Sequence, residues 1–203
     1  MVELLDQLKG ARPFEISSWL KKCKDWKLKY PIVLPEYKEC KDAVNSFYFI
    51  QVLSEKLDEK AVIITDMGTS FTCTMQTFKT KLGQRLSTSS GHASMGFGLP
   101  GAIGACIGNN RKDTICISGD GGLQMNIQEL QTIVHYNLPI KLFVLNNNGY
   151  LTIKATQQNH FGRFVGAEQS SGVTCPDIIK VATAYGLPNI RIANTKELNL
   201  KID

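Results

Sequence analysis

The sequence has no Cys-x-x-Cys pair and no His-x-x-x-His, so its six cysteines and three histidines do not compose a zinc site. Cys23, Cys40, Cys73, Cys106, Cys116 and Cys175 are scattered through apolar and mixed stretches and read as reduced core thiols of a cytoplasmic protein. Long apolar runs are absent too. The longest stretch free of Asp, Glu, Lys and Arg, residues 86–110, is broken by glycines and Pro100, which excludes a membrane span there. The opening MVELLDQLKGAR lacks the apolar core of a signal peptide, so no export signal is expected. There is no internal repeat, no low-complexity tract and no basic tail. The 23 bases against 18 acids leave +5, and neither a nucleic-acid nor a membrane partner is expected.

What is present is an ordinary globular composition: 203 residues, 43% apolar and 20% charged. That is enough chain for one large domain plus a short appendage. Residues 1–35 are lysine-rich, hold both Trp19 and Trp26, and end in Pro31 and Pro35, so they read as a connecting segment; residues 36–203 form the domain. Within it a helical pattern at 43–57 precedes a β-rich run at 61–65. A small-residue helix is predicted at 95–107, a strand at 114–118, and a helical stripe through Ile127, Leu130, Ile133 and Val134. A third strand is predicted at 141–145, a helix at 176–185, and a further strand beginning at 190–193. Strands alternating with helices predict an α/β fold, a doubly wound, mostly parallel sheet with helices on both faces.

Such sheets bind ligands beyond the carboxyl ends of their strands. The three strand exits are polar and glycine-containing: Asp66-Met67-Gly68, Gly119-Asp120-Gly121-Gly122 and Asn146-Asn147-Asn148-Gly149. Asp120 sits where backbone N–H groups favour an anion, yet its own charge would repel a phosphate. A hard divalent cation between them removes the conflict, because magnesium takes oxygen ligands shared between protein and phosphate. Asp-Gly alone is an ordinary turn signal. The interval from Gly121 to Asn146, however, holds one helix, one turn and one strand, which returns the chain to the same sheet edge. Asn147 can then offer its amide oxygen and Gly149 its carbonyl. The competing reading is an Asn148-Gly149 hairpin, for which the flanking runs do not both alternate.

Gly119-Asp120-Gly121 followed at this interval by Asn146-Asn147 resembles the thiamine diphosphate motif, GDG then NN. The likeness extends over most of residues 36–190 and is strongest to the acetolactate synthase-like group. It implies that Asp120, Asn147 and Gly149 hold Mg2+ and that Gly121 and Gly122 lie against the diphosphate. Thr69 and Ser70 would touch the diphosphate where the family usually has Gln and His. Residues 91–100 resemble the segment under the cofactor's two rings, with Met95 as the apolar wedge and backbone atoms near Ala93 and Met95 meeting the aminopyrimidine. His92 stands where the family pattern has an apolar residue.

The resemblance further implies decarboxylation with carboligation of 2-oxo acids, the cofactor serving as electron sink. The family's activating glutamate belongs to a pyrimidine-binding domain, of the same enzyme or of a partner chain, usually in the facing subunit. No residue here matches it, so a homo-oligomer is implied and the catalytic residues are not assigned. The opening segment resembles a linker leaving a preceding domain, and the chain reads as the diphosphate-side portion of a larger enzyme, truncated at its C-terminus. A separately encoded subunit is the other reading. Flavin would involve a domain absent here.

Two rivals are a 2-oxo acid decarboxylase subunit and a non-catalytic module of the same fold. Decarboxylases have a Gly-Tyr-Thr-Ile run followed by Glu, whereas this chain inserts Leu151 and then carries Lys154. Phe161-Gly162-Arg163-Phe164 offers a cation and two aromatics for a substrate carboxylate, or a solvated loop. A dinucleotide fingerprint at Gly96, Gly98 and Gly101 lacks the buried strand it requires immediately before it.

Overall fold

The computed structural model describes residues 15–202 together with Glu3, Asp6, Leu8 and Lys9. The chain divides into two compact units, Met1–Ile32 and Val33–Asp203. In the first, helix α1 (Ser17–Lys29) buries no residue; Trp19 and Trp26 meet edge to face at 5.8 Å, and Lys22 lies 5.0 Å from the Trp26 ring centre.

The second unit is built on a four-stranded sheet in the order β2-β1-β3-β4, with every adjacent pair parallel. Its strands are β1 (Val62–Thr65), β2 (Arg85–Ser87), β3 (Thr114–Gly119) and β4 (Ile140–Leu145). Buried β-branched runs suit a strand covered on both sides. Alternation sorts the side chains by face. Ile63, Ile115 and Ile117 belong to one core with Phe49, Ile50 and Leu53 of α2 (Ser46–Lys56), Cys73 of α3 (Thr69–Thr77) and Leu198 of α9 (Thr195–Lys201). Val62, Ile64 and Cys116 face Ala102 of α4 (Gly98–Gly108). That side continues through Leu123 of α5 (Asp120–Met125) and Leu130 and Ile133 of α6 (Leu130–Tyr136), with Ile178 and Val181 of α8 (Ile178–Ala184) packed against it. The sheet is therefore wound on both faces.

Local chemistry sets the helix ends. The Asn45 side chain accepts from the N–H groups of Phe47 and Tyr48 at the start of α2, and Asp177 does the same for Ile179 and Lys180 at the start of α8. Asn137 closes α6 in the left-handed conformation, φ 47°.

Two sequence expectations are corrected, and two helices are added that the sequence did not predict. The small-residue helix begins at Gly98 rather than residue 95, because residues 91–97 are held in a loop. Residues 190–193 carry no strand; no ladder partner lies beside them among the described residues. The polar stretch after β1 folds into α3, and residues 151–161 form a helix, α7 (Leu151–Phe161), that buries none of its residues.

Ile63 is fully buried between α2 and the sheet. Ile63→Ala should lower unfolding stability by about 2–5 kcal/mol in urea titrations, whereas Leu82→Ala, at a side chain 94% exposed, should change it by no more than about 0.5 kcal/mol.

Candidate functional site

The strand order fixes where a ligand can enter. β2 lies to one side of β1, and β3 and β4 to the other, so the crevice beyond the carboxyl ends of β1 and β3 is the topological switch point. The sequence delivers an acid to that crevice from each strand, Asp66 after β1 and Asp120 after β3, and each is 1% exposed.

Asp66 is the local tie. Its backbone N–H donates to the Ile117 carbonyl at 2.8 Å, carrying the β1–β3 pairing one residue further. Its Oδ2 accepts from Ser118 Oγ at 2.8 Å, and its Oδ1 accepts from the N–H groups of Met67 at 2.8 Å and Gly96 at 3.0 Å. Asn126 completes the hold by donating Nδ2 to the Gly96 carbonyl at 2.8 Å. Residues on both sides of the switch point are thus fastened to the loop that carries Ala93 and Met95. A side chain on Gly122 would overlap the Asp66 carboxylate, and one on Gly121 the Tyr150 ring, so the first turn of α5 reaches the crevice only as bare backbone. Sequence reasoning placed Asp66 in a strand exit without seeing this role. The available signal was a carboxylate directly after a fully β-branched buried strand.

Asp120 has a different environment. Its Oδ1 accepts from Gly121 N–H at 2.8 Å and its Oδ2 from Gly149 N–H at 3.2 Å. Among the described residues no Lys, Arg or His side chain pairs with it. The Cys175 thiol is a neighbour: burial, and then the Asp120 carboxylate, push its ionisation up. A buried carboxylate is costly unless hydrogen bonds, a cationic side chain or a metal compensate it. No three His, Cys, Asp or Glu residues are grouped to hold a metal among the described residues, so any cation here must draw on neutral oxygens.

Those oxygens are at hand. Gly119 is in register with Leu145, so the tips of β3 and β4 emerge at the same end of the sheet. The Gly149 carbonyl receives no hydrogen bond among the described residues. Asn147 is exposed and lines an open groove of about 480 Å³ with Asn148, Glu168, Gln169 and Ser170. Asn148 adopts φ 61° and Gly149 φ 154°, and the chain then enters helix α7, so this is not a hairpin. The donor set of one carboxylate, one amide and one carbonyl fits a hard divalent cation.

Residues 66–203 match the family model of the thiamine pyrophosphate enzymes, C-terminal TPP-binding domain. The chain belongs to this family. Among its relatives, acetolactate synthase large subunits of Cyanidium caldarium and Pyropia yezoensis are each 36% identical to it, over 93% and 97% of this chain and 31% and 33% of their own length. A chloroplastic acetolactate synthase of Nicotiana tabacum is 33% identical over 98% of this chain and 30% of its own. The chain spans about a third of the length of these relatives.

Within this TPP-binding domain the other expected contacts are distributed as follows. Thr69 opens α3 half-buried, whereas Ser70 is fully buried and donates its hydroxyl to the Met67 carbonyl at 2.8 Å. Ala93 has φ 55° and Met95 is 39% exposed, both in the loop tied down at Gly96. His92 is exposed in that loop. The fingerprint-like Gly96 and Gly98 approach the protein's own groups: a side chain on Gly98 would meet Asp66 Cβ at 2.8 Å, which explains the glycines without a dinucleotide. Lys154 pairs with Glu168 and lies 5.3 Å from the Phe164 ring centre, while Phe161 is 70% exposed.

Asp66→Ala would strand the Gly96 and Met67 N–H groups and the Ser118 hydroxyl. It should cost at least about 2 kcal/mol in urea unfolding and speed amide hydrogen exchange in residues 91–97.

Proposed function

We propose that this domain binds thiamine diphosphate through Mg2+ and forms the diphosphate side of an enzyme that decarboxylates a 2-oxo acid and joins the product to a second carbonyl; its relatives are named acetolactate synthases. The observation that carries this reading is the Asp120–Gly149 contact, 3.2 Å from carboxylate to N–H, which joins the β3 and β4 tips beside a buried acid with no cationic side chain. Asp120, Asn147 and the Gly149 carbonyl would hold the cation. The bare backbone of Gly121 and Gly122 would face the diphosphate, with Thr69 and the start of α3 on its other flank; for Ser70, whose hydroxyl is engaged, the backbone is the available group. Ala93 and Met95 would meet the ring portion from a loop anchored by Asp66, a rigid support suited to fixing orientation. Thiamine diphosphate, when bound, supplies a nucleophilic ring carbon and an electron sink for loss of carbon dioxide.

The domain's own contribution is binding and orientation. The activating carboxylate would come from a pyrimidine-binding domain of the same enzyme or of a partner chain, and if it comes from a facing copy the enzyme would be a homo-oligomer. Residues 1–35 would link to a preceding domain. Flavin, if used, would bind elsewhere in the enzyme. All six cysteines are free thiols, which supports a reducing compartment such as the cytoplasm. No helix among the described residues is long and apolar enough to cross a membrane.

Thiamine diphosphate added with Mg2+ should raise the melting temperature of the 203-residue chain by several degrees, whereas the cofactor without metal should shift it little. Asp120→Ala should abolish the metal-dependent rise. An equal shift in parent and mutant would refute the assignment.

A further inference from the structure

The loop after α7 is fastened to the strand tip that carries Gly149. Tyr150 N–H donates to the Ala167 carbonyl at 2.9 Å, and Gly149 forms an isolated antiparallel bridge with Glu168. The approach is close enough that a side chain on Gly149 would come within 2.5 Å of the Ala167 oxygen. The loop is itself stiffened. Ser171 Oγ accepts from the N–H groups of Ala167 at 3.0 Å and Glu168 at 2.9 Å, and Gly166 N–H donates to the Ser171 carbonyl at 2.7 Å. Ala167 is fully buried.

Helix α7 has no buried residue to hold it against this loop, so polar clasps do so. Gln157 exchanges two hydrogen bonds with the Val165 backbone, each 2.9 Å. One turn earlier Lys154 pairs with Glu168 Oε2, whose other oxygen accepts from Ser170 Oγ at 2.9 Å. The hydrogen bond from Lys154, then that from Ser170, holds the Glu168 carboxyl below the usual carboxylate range.

We propose that the Lys154–Glu168 ion pair is a positioning device for the metal: it clamps the 166–171 loop against α7, and the loop's backbone in turn holds the Gly149 carbonyl where a divalent cation can take it. This rests on Gly149 and Asp120 being cation ligands. Magnesium tolerates little departure from octahedral geometry, so a ligand carried on a loosened strand tip weakens binding even when the fold is intact. The pair itself is partly exposed, with side chains 37% and 28% accessible, and such pairs add little to global stability. The two effects are therefore separable.

The test uses the whole 203-residue chain. Thiamine diphosphate binding is measured by equilibrium dialysis across a Mg2+ series for the parent, Lys154→Met, Glu168→Gln, the charge exchange K154E/E168K, and Asp120→Ala. The single pair variants should need roughly 5-fold more Mg2+, with metal-free melting temperatures unchanged, and the exchange should return the requirement to within about 2-fold of the parent. Single variants with the parent's Mg2+ dependence, beside an Asp120→Ala that has lost binding, would overturn the positioning role and leave the metal site standing. So would a weakened affinity that tracks an equal loss of metal-free melting temperature, or a folded exchange variant that restores nothing. Asp120→Ala behaving as the parent does would instead remove the underlying metal reading.

Discussion

The buried Asp66 carboxylate organises the candidate site without being its reactive group. It accepts from a neighbour in sequence, from a glycine 30 positions on and from a serine 52 positions on, and so fixes three chain segments around one charge. Each donor is part of the main chain or a short hydroxyl, leaving little slack. Because a buried carboxylate is tolerable only when so engaged, the loop that carries Met95 is held by the same hydrogen bonds that compensate the burial of Asp66. The glycines packed directly against it, Gly98 and Gly122, are the steric consequence.

Asp120 poses the same electrostatic problem and meets it only partly. Two backbone N–H groups approach it, and no side-chain cation does. Asp66 ties three chain segments together, whereas Asp120, beside the Cys175 thiol at the β3 and β4 tips, carries the proposed metal role. The parallel register of β3 and β4 then supplies neutral oxygens at the same end of the sheet. Asn147 is exposed, and Gly149 is held by Asp120 on one side and by the 166–171 loop, with its clasp to α7, on the other.

Much of the fold was legible because β1 is an uninterrupted β-branched run, β3 and β4 are mostly apolar, and α6 carries an apolar stripe. The departures have physical causes. Residues 69–77 are threonine-rich, and a stripe through Ser70, Cys73, Thr74 and Thr77 is buried without being hydrophobic, so its periodicity was hidden. The helix expected from residue 95 starts at Gly98 because the Gly96 N–H and carbonyl are engaged by Asp66 and Asn126. Residues 190–193 have strand composition, but a strand needs a neighbour. In the candidate site, the shared sheet end of the β3 and β4 tips was readable from spacing, because a helical crossover and one parallel strand return the chain to the same edge. Asp66 and the Lys154–Glu168 pair were not, since their partners are defined only by tertiary proximity.

The central claim is that one divalent ion is shared by the tips of β3 and β4. A crystal structure of the chain grown with thiamine diphosphate and Mn2+, with data collected for anomalous scattering, tests it most directly. The account predicts a single strong anomalous peak within about 2.0–2.4 Å of Asp120 Oδ, Asn147 Oδ1 and the Gly149 carbonyl, with diphosphate oxygens completing the shell. A peak elsewhere, or cofactor bound with no metal beside Asp120, would contradict it.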